Sequence, residues 1–217
     1  MEENIRLARE RFAKAPEILQ LHFSIDIAQH ALNRSRGTLR KKKFQEALDQ
    51  RRRYLIDEGS TAVIEAGRKS LLRSISYYEL KALCYQSASA VRAIVYSGGF
   101  LPSFVEDKSI LGWVTYYGIN TATHQYRKSK GLRPNPWGPY QFLNPWSIGE
   151  FINPWSIGEF EWQCKRFEYL IEVSKFTERL WLVYDNPEAL PPVPEECSLD
   201  YRTNPPPPLG EEGENDE

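Results

Sequence analysis

Cysteine and histidine are scarce in this chain, with three of each in 217 residues. Cys84, Cys164 and Cys197 are too few and too scattered for a disulfide framework, and they form no Cys-x-x-Cys pairs at zinc-ligand spacing. His22 and His30 are eight apart and share a helical face, but with Asp26 between them they make only a weak metal triad. These two and His124 therefore read as ordinary, partly buried side chains, and neither metal nor cofactor is expected. Long apolar runs are also lacking. None approaches the ~18 residues that a membrane-spanning helix needs, so no membrane partner is expected. The first residues, with Glu2, Glu3, Arg6, Arg9, Glu10 and Arg11, lack the apolar centre of a signal peptide. The expected compartment is the cytoplasm, or a host cytoplasm if the chain is viral.

Catalytic signatures are missing as well. The chain has no Walker A loop, no GxGxxG, no GxSxG and no HExxH. Ser97-Gly98-Gly99 reads as a helix stop. The acids Glu106-Asp107 and Glu159 with Glu161 lie close in sequence, but nothing beside them suggests a shifted pKa or a pocket. No catalytic residue is assigned, and a non-enzymatic protein is expected.

What the chain does have is ordinary globular composition, 41% apolar and 26% charged, with its charge divided unevenly. Residues 185–217 carry ten acids and one arginine, hence -9, which leaves 27 bases and 19 acids in residues 1–184, hence +8. This predicts a basic domain over 1–184 and an acidic tail over 185–217. The tail is rich in Pro and Glu and has too little apolar surface to offset ordering entropy, so it is expected to be disordered.

Within the domain the periodicity predicts a mainly α fold, a compact bundle of about five to six helices. Residues 3–14 read as a short charged helix halted by Pro16. Ile18, Leu21, Ile25, Ala28 and Leu32 mark a second, ending at Gly37. A third spans 39–57 with a thin stripe of Phe44, Ala47, Leu48 and Leu55, and a fourth spans 61–74. The most strongly marked helix opens with a capping box, Ser76-Tyr-Tyr-Glu79, and runs to Gly98-Gly99. Its Ser87, Ala88 and Ala90 form a small face that a neighbouring helix could approach closely. Residues 106–129 read as helix, with Gly112, Gly118 and β-branched residues keeping a strand at 111–117 open. A last helix is expected at about 161–183.

Between the last two lies a Trp-rich loop, 133–160, containing a tandem repeat. Phe142-Leu-Asn-Pro-Trp-Ser-Ile-Gly-Glu150 is followed at once by Phe151-Ile-Asn-Pro-Trp-Ser-Ile-Gly-Glu159, after a weaker echo at Asn135-Pro136-Trp137-Gly138. Asn is a favoured helix N-cap and Pro a favoured first residue, so each copy reads as a capped helical turn that Gly149 or Gly158 can end. A nine-residue period in one element would point successive tryptophans to opposite sides, and the internal prolines forbid a continuous helix through both copies. Separate turns are expected. One reading makes the repeat a lengthened surface loop. The functional reading makes Trp137, Trp146, Trp155 and Trp162 a docking surface for a protein partner or RNA.

Basic residues cluster twice. Arg40, Lys41, Lys42, Lys43, Arg51, Arg52 and Arg53 lie on the 39–57 helix, and Arg127, Lys128, Lys130 and Arg133 lead into the first Asn-Pro-Trp. Such clusters neutralise phosphates, and cations beside aromatics suit an RNA-binding surface. Their bland reading is a solvated helix face, partly balanced by Glu46, Asp49, Asp57 and Glu58. The expected function is regulatory binding to a nucleic acid or nucleoprotein complex. The alternative is a protein–protein inhibitor or assembly component that uses the tryptophan repeat without nucleic acid.

The stretch from Tyr117 to Phe167 resembles the ribosome modulation factor family and its phage-borne relatives. Gly118, Ala122, Arg127, Lys128, Gly131 and Asn135-Pro136-Trp137 follow that family's order of small first helix, basic turn and Asn-Pro-aromatic step. Glu161-Trp162-Gln-Cys-Lys-Arg-Phe167 stands where its second helix begins. The spacing is inflated by the repeat, and the Gly after the Trp is missing. The resemblance covers about a quarter of the chain and implies a two-helix module associated with ribosomes, in a phage or mobile-element setting.

Overall fold

In the computed structural model of the chain, residues 2–35, 41–55, 85–97, 110–131, 153–176 and 190–199 are described. They hold six α-helices and no strand: α1 (Glu2–Ala13), α2 (Glu17–Arg34), α3 (Lys41–Leu55), α4 (Tyr85–Tyr96), α5 (Ile110–Ser129) and α6 (Pro154–Phe176). A single 3-10 turn, Glu195–Cys197, follows. The fold is a mainly α bundle, as the periodicity predicts. The strand alternative at 111–117 is excluded, because that segment lies inside α5. The expected helix at 61–74 and the capping box at Ser76–Glu79 lie outside the described residues, as do Gly37 and Trp137 through Gly149.

Two helices form the centre. Every residue from His22 to Leu32 of α2 and from Leu111 to His124 of α5 is buried. Around this pair, α3, α4 and α6 pack on α2, while α4 and α6 also flank α5. Two aromatic groups tie the layers. Phe12 of α1, Phe23 of α2 and Phe167 of α6 meet with ring centroids 4.5 to 5.1 Å apart. Tyr96 of α4 meets Trp113 and Tyr117 of α5 at 6.3 and 5.3 Å, and the Arg92 guanidinium lies 5.4 Å from the Tyr117 ring centre. Rings at such separations add about 0.5–1.5 kcal/mol per pair beyond the area they bury.

A helix buried all round needs somewhere to be thin, and α5 is thin at Gly118. A Cβ there would lie 2.7 Å from Ile27 Cγ2 of α2 and 2.8 Å from Gln163 Nε2 of α6. Alanine gains about 1 kcal/mol over glycine in helix propensity. The Ile27 branch, however, sits on a fully buried side chain with no room to retreat. Gly118→Ala is therefore expected to lose about 1–3 kcal/mol through overpacking. Urea unfolding measures it; unchanged or raised stability would show that the three helices can separate freely.

The second repeat copy corrects two expectations. It does not lie in a loop, and Gly158 does not end its turn: Asn153-Pro154-Trp155-Ser156 opens the 23-residue helix α6. Asn153 is the N-cap, its Oδ1 accepting from the backbone N–H groups of Trp155 and Ser156 at 3.1 and 3.0 Å. Ser156 Oγ accepts from the Asn153 N–H at 3.0 Å, closing a reciprocal box in which serine takes the place usual for Glu or Gln. Pro154 fits the first helical position, where no N–H is needed. Gly158 is not required by any close approach, since a Cβ there would meet nothing within 4 Å, and it costs the helix about 1 kcal/mol relative to alanine.

The expected disordered tail is corrected in part. Residues 190–199 pack on the bundle, with Cys197 buried against α6. The expectation for the rest of 185–217 falls outside the described residues.

Candidate functional site

Four side chains of α2, His22, Asp26, His30 and Arg34, recur every fourth residue and so share one stripe. All four are buried, as are Glu159, Gln163 and Arg166 on the facing stripe of α6. Buried charges require partners. Arg166 Nε donates to Asp26 Oδ2 at 2.7 Å. One turn further along, Arg34 Nε lies 2.9 Å and His30 Nδ1 3.0 Å from Glu159 Oε2. Gln163 Nε2 points to Glu159 Oε1 at 3.3 Å and to the Thr115 carbonyl at 3.4 Å, anchoring the cluster to α5. Trp162 stacks on His30 with ring centres 3.8 Å apart and planes 7° from parallel.

The protonation states follow from this geometry. Burial alone would raise the Glu159 pKa, but its interaction with His30 and the charge of Arg34, with hydrogen bonds from His30 and Gln163, leave it below the ordinary carboxylate value. Burial lowers the His30 pKa despite the pull of Glu159, so His30 is neutral at pH 7 and donates through Nδ1–H. His22 is also held neutral, its pKa lowered to about 4 by burial against the opposing charge of Asp26. The Glu159 carboxylate is thus balanced by Arg34 and Asp26 by Arg166. Among the described residues no group of three His, Cys, Asp or Glu could hold a metal ion.

The residues expected to bind partners are divided by the structure. Trp162 and Trp155, expected on a docking surface, are only 1% and 8% exposed. Trp162 is taken by His30 and by the Ser198 carbonyl, which accepts from its Nε1 at 3.0 Å; Trp155 packs edge-on to Tyr126 of α5. Arg51, expected to contact phosphate, is 5% exposed and donates to Ser97 Oγ at 2.9 Å, joining α3 to the end of α4. Burial lowers its pKa to about 9. Trp162 and Arg51 go inward because distant segments supply their hydrogen-bond acceptors, and Trp155 because Tyr126 supplies a ring to pack on. Arg52 is partly committed, donating to Asp49 Oδ1 and Gln29 Oε1 at 3.0 Å each.

Lys42 and Arg53 on α3, and Lys128 with Lys130 at the end of α5, remain exposed and form no ion pair among the described residues. Arg127 is half-buried, and Lys43 lies beside the Phe44 ring. The Lys41 backbone opens α3, while Arg40, Arg133, Trp137 and Trp146 lie outside the described residues. In the sequence Asp26 reads only as part of a weak metal triad and Glu159 only as an acid near Glu161, and neither is given a role. The four-residue spacing from His22 to Arg34 was the available signal, but it identifies no partner on α6.

A second feature was invisible in the sequence. An open groove of about 920 Å³ lies between α1, the start of α2 and α6, lined by Leu7, Arg11, Pro16, Ile18, Phe167 and Ile171. Leu7 is 51% and Ile18 43% exposed at its rim. Among the described residues no helix is long and apolar enough to cross a membrane. No family model, curated protein or solved structure matches the chain.

Proposed function

We propose that this is a non-enzymatic regulatory protein that docks on a nucleic acid or nucleoprotein complex through the exposed bases of α3 and α5. One observation carries the reading. The interior acids Asp26 and Glu159 are matched by interior arginines, whereas Lys42, Arg53, Lys128 and Lys130 stay outside without an acid partner among the described residues. Cations in the last turn of α5 also complement its helix dipole, but that role uses only a fraction of their charge. The sequence resemblance to the ribosome modulation factor family, whose modules associate with ribosomes, is consistent with this reading.

Binding of this kind depends on salt, because phosphate neutralisation releases counterions. Lys128→Glu with Lys130→Glu is expected to weaken binding of a labelled single-stranded RNA, and of a DNA duplex, across sequences. The slope of log affinity against log salt should fall by about 1–2. Anisotropy titrations from low to moderate salt measure this. Binding that ignores both salt and the double substitution would overturn the proposal.

The groove favours a second reading, a protein–protein inhibitor or assembly component. Its docking surface would be Leu7 and Ile18 rather than the buried Trp155 and Trp162. It predicts salt-insensitive association that Ile18→Asp abolishes and Lys128→Glu leaves intact.

A further inference from the structure

The segment from Leu190 to Leu199 is held in an unusual way. Four side chains of the bundle donate to its main-chain carbonyls, while its own Leu190, Cys197 and Leu199 pack on the core. Asn33 Nδ2 of α2 donates to the Leu199 carbonyl at 2.6 Å, and Trp162 Nε1 of α6 to the Ser198 carbonyl at 3.0 Å. Arg166 Nη1 reaches the Cys197 carbonyl at 3.4 Å, and Tyr169 Oη donates to the Pro191 carbonyl at 3.1 Å. On α6 the donors stand at 162, 166 and 169, one helical stripe, and the segment runs antiparallel to it. Val193, Glu195 and Glu196 face solvent, and Cys197 alone among the segment's side chains is buried.

The backbone of the segment matches what such donors select. Pro194 (φ -57, ψ 142) and Ser198 (φ -59, ψ 145), which flank the Glu195–Cys197 3-10 turn, both adopt polyproline II geometry. Prolines 191, 192 and 194 lack an N–H, so this stretch offers carbonyl acceptors and few donors. The donors are fixed without help from the segment. Trp162 is clamped by the His30 stack, and Arg166 by Asp26 and by the Tyr169 ring, 5.1 Å from its guanidinium carbon. Donors fixed in advance lose little freedom when a peptide arrives.

We infer that the α2–α6 face is a peptide-binding groove for proline-containing segments that close in a single 3-10 turn, and that residues 190–199 occupy it as an intramolecular ligand. Recognition through carbonyls tolerates changes at the exposed positions 192–196, with apolar side chains kept where Leu190 and Leu199 sit and a small one at Cys197. A peptide from another protein, sharing this proline-flanked turn, fits the same donors. Thirteen residues, 177–189, join the ligand to α6. A short tether holds its ligand at an effective concentration on the order of 1 mM, so the groove answers only weakly to a free peptide while the segment is seated.

The test uses the full chain and a fluorescein-labelled synthetic peptide with the sequence of residues 190–199, read by anisotropy. Cys197→Asp places a charge in the buried anchor and releases the tethered segment. That variant is expected to bind the peptide about tenfold more tightly than the unaltered chain. Adding Tyr169→Phe, which deletes one donor, should weaken this binding about fivefold. Equal affinity in the Cys197→Asp and unaltered chains, or no binding by a variant whose helical circular dichroism is intact, overturns the inference. Should the variant lose its helices, the unaltered chain decides: excess unlabelled peptide must speed hydrogen exchange at the Cys197 and Ser198 amides. Exchange that ignores the peptide overturns the inference, and so does an equal effect from a peptide with every proline replaced by alanine.

Discussion

Asp26→Ala is expected to destabilise the protein by about 3–5 kcal/mol, enough to remove much of the stability of a domain of this size. The side chains of Asp26 and Arg166 are 0% and 1% exposed, and their contact is 2.7 Å. Removing the carboxylate leaves the guanidinium in the interior with its charge uncompensated, and its remaining neutral partners cannot replace a full negative charge. Most of the loss reflects that stranded charge and little reflects the net worth of the pair, because bringing both ions out of water already offsets much of their attraction. The double variant Asp26→Leu with Arg166→Met is therefore expected to be clearly more stable than Asp26→Ala. Urea unfolding of the parent and both variants checks the sign. A double variant as unstable as the single one would show that the pair also holds geometry that apolar side chains cannot.

Lowering the pH from 7 to 5 is expected to remove on the order of 2 kcal/mol for each of His22 and His124. Both have folded pKa values of about 4, against an ordinary value of 6.5. For His22 the cause is burial, opposed by Asp26 and reinforced by Arg52; for His124 it is burial, reinforced by Arg127 and Arg92. Below pH 6.5 the unfolded chain takes up protons that the folded chain refuses. Stability therefore falls as pH drops from 6.5 towards 4 and levels off, for these two groups, below that. His30 adds a loss of the same sign. Glu159, whose folded pKa is depressed, then loses its stabilising charge as pH falls below 4.5. Denaturation midpoints at pH 7, 6 and 5 measure the slope, and His124→Gln should flatten it. A midpoint that does not move between pH 7 and 5 would mean that these imidazoles reach water in the folded state.

The outlines of α1, α2, α3 and α5 were legible in the sequence, because helical period and end signals act between residues three or four apart. Asn153-Pro154 was also readable as an N-cap followed by a first helical residue. The length of the helix behind it was not. Gly158 looked like a stop, yet glycine inside a helix costs only about 1 kcal/mol. The burial of Trp155, Trp162 and Phe167 along the same helix outweighs that amount. The candidate site was half legible. The exposed Lys42, Arg53, Lys128 and Lys130 stand where their helices put them, but Arg51 turned inward to Ser97, 46 residues away.

By itself, then, the sequence determined a mainly α chain, its basic and acidic partition, and a capped helical start at the second repeat copy. Those features depend on composition and on close neighbours along the chain. Only the tertiary structure decided which tryptophans and arginines leave the surface, which carboxylates are matched inside, and where residues 190–199 rest. Each of these depends on partners brought from far along the chain, 129 residues for His30 and Glu159 and 140 for Asp26 and Arg166. A buried polar group is tolerated only when such a partner arrives, and no local pattern announces it.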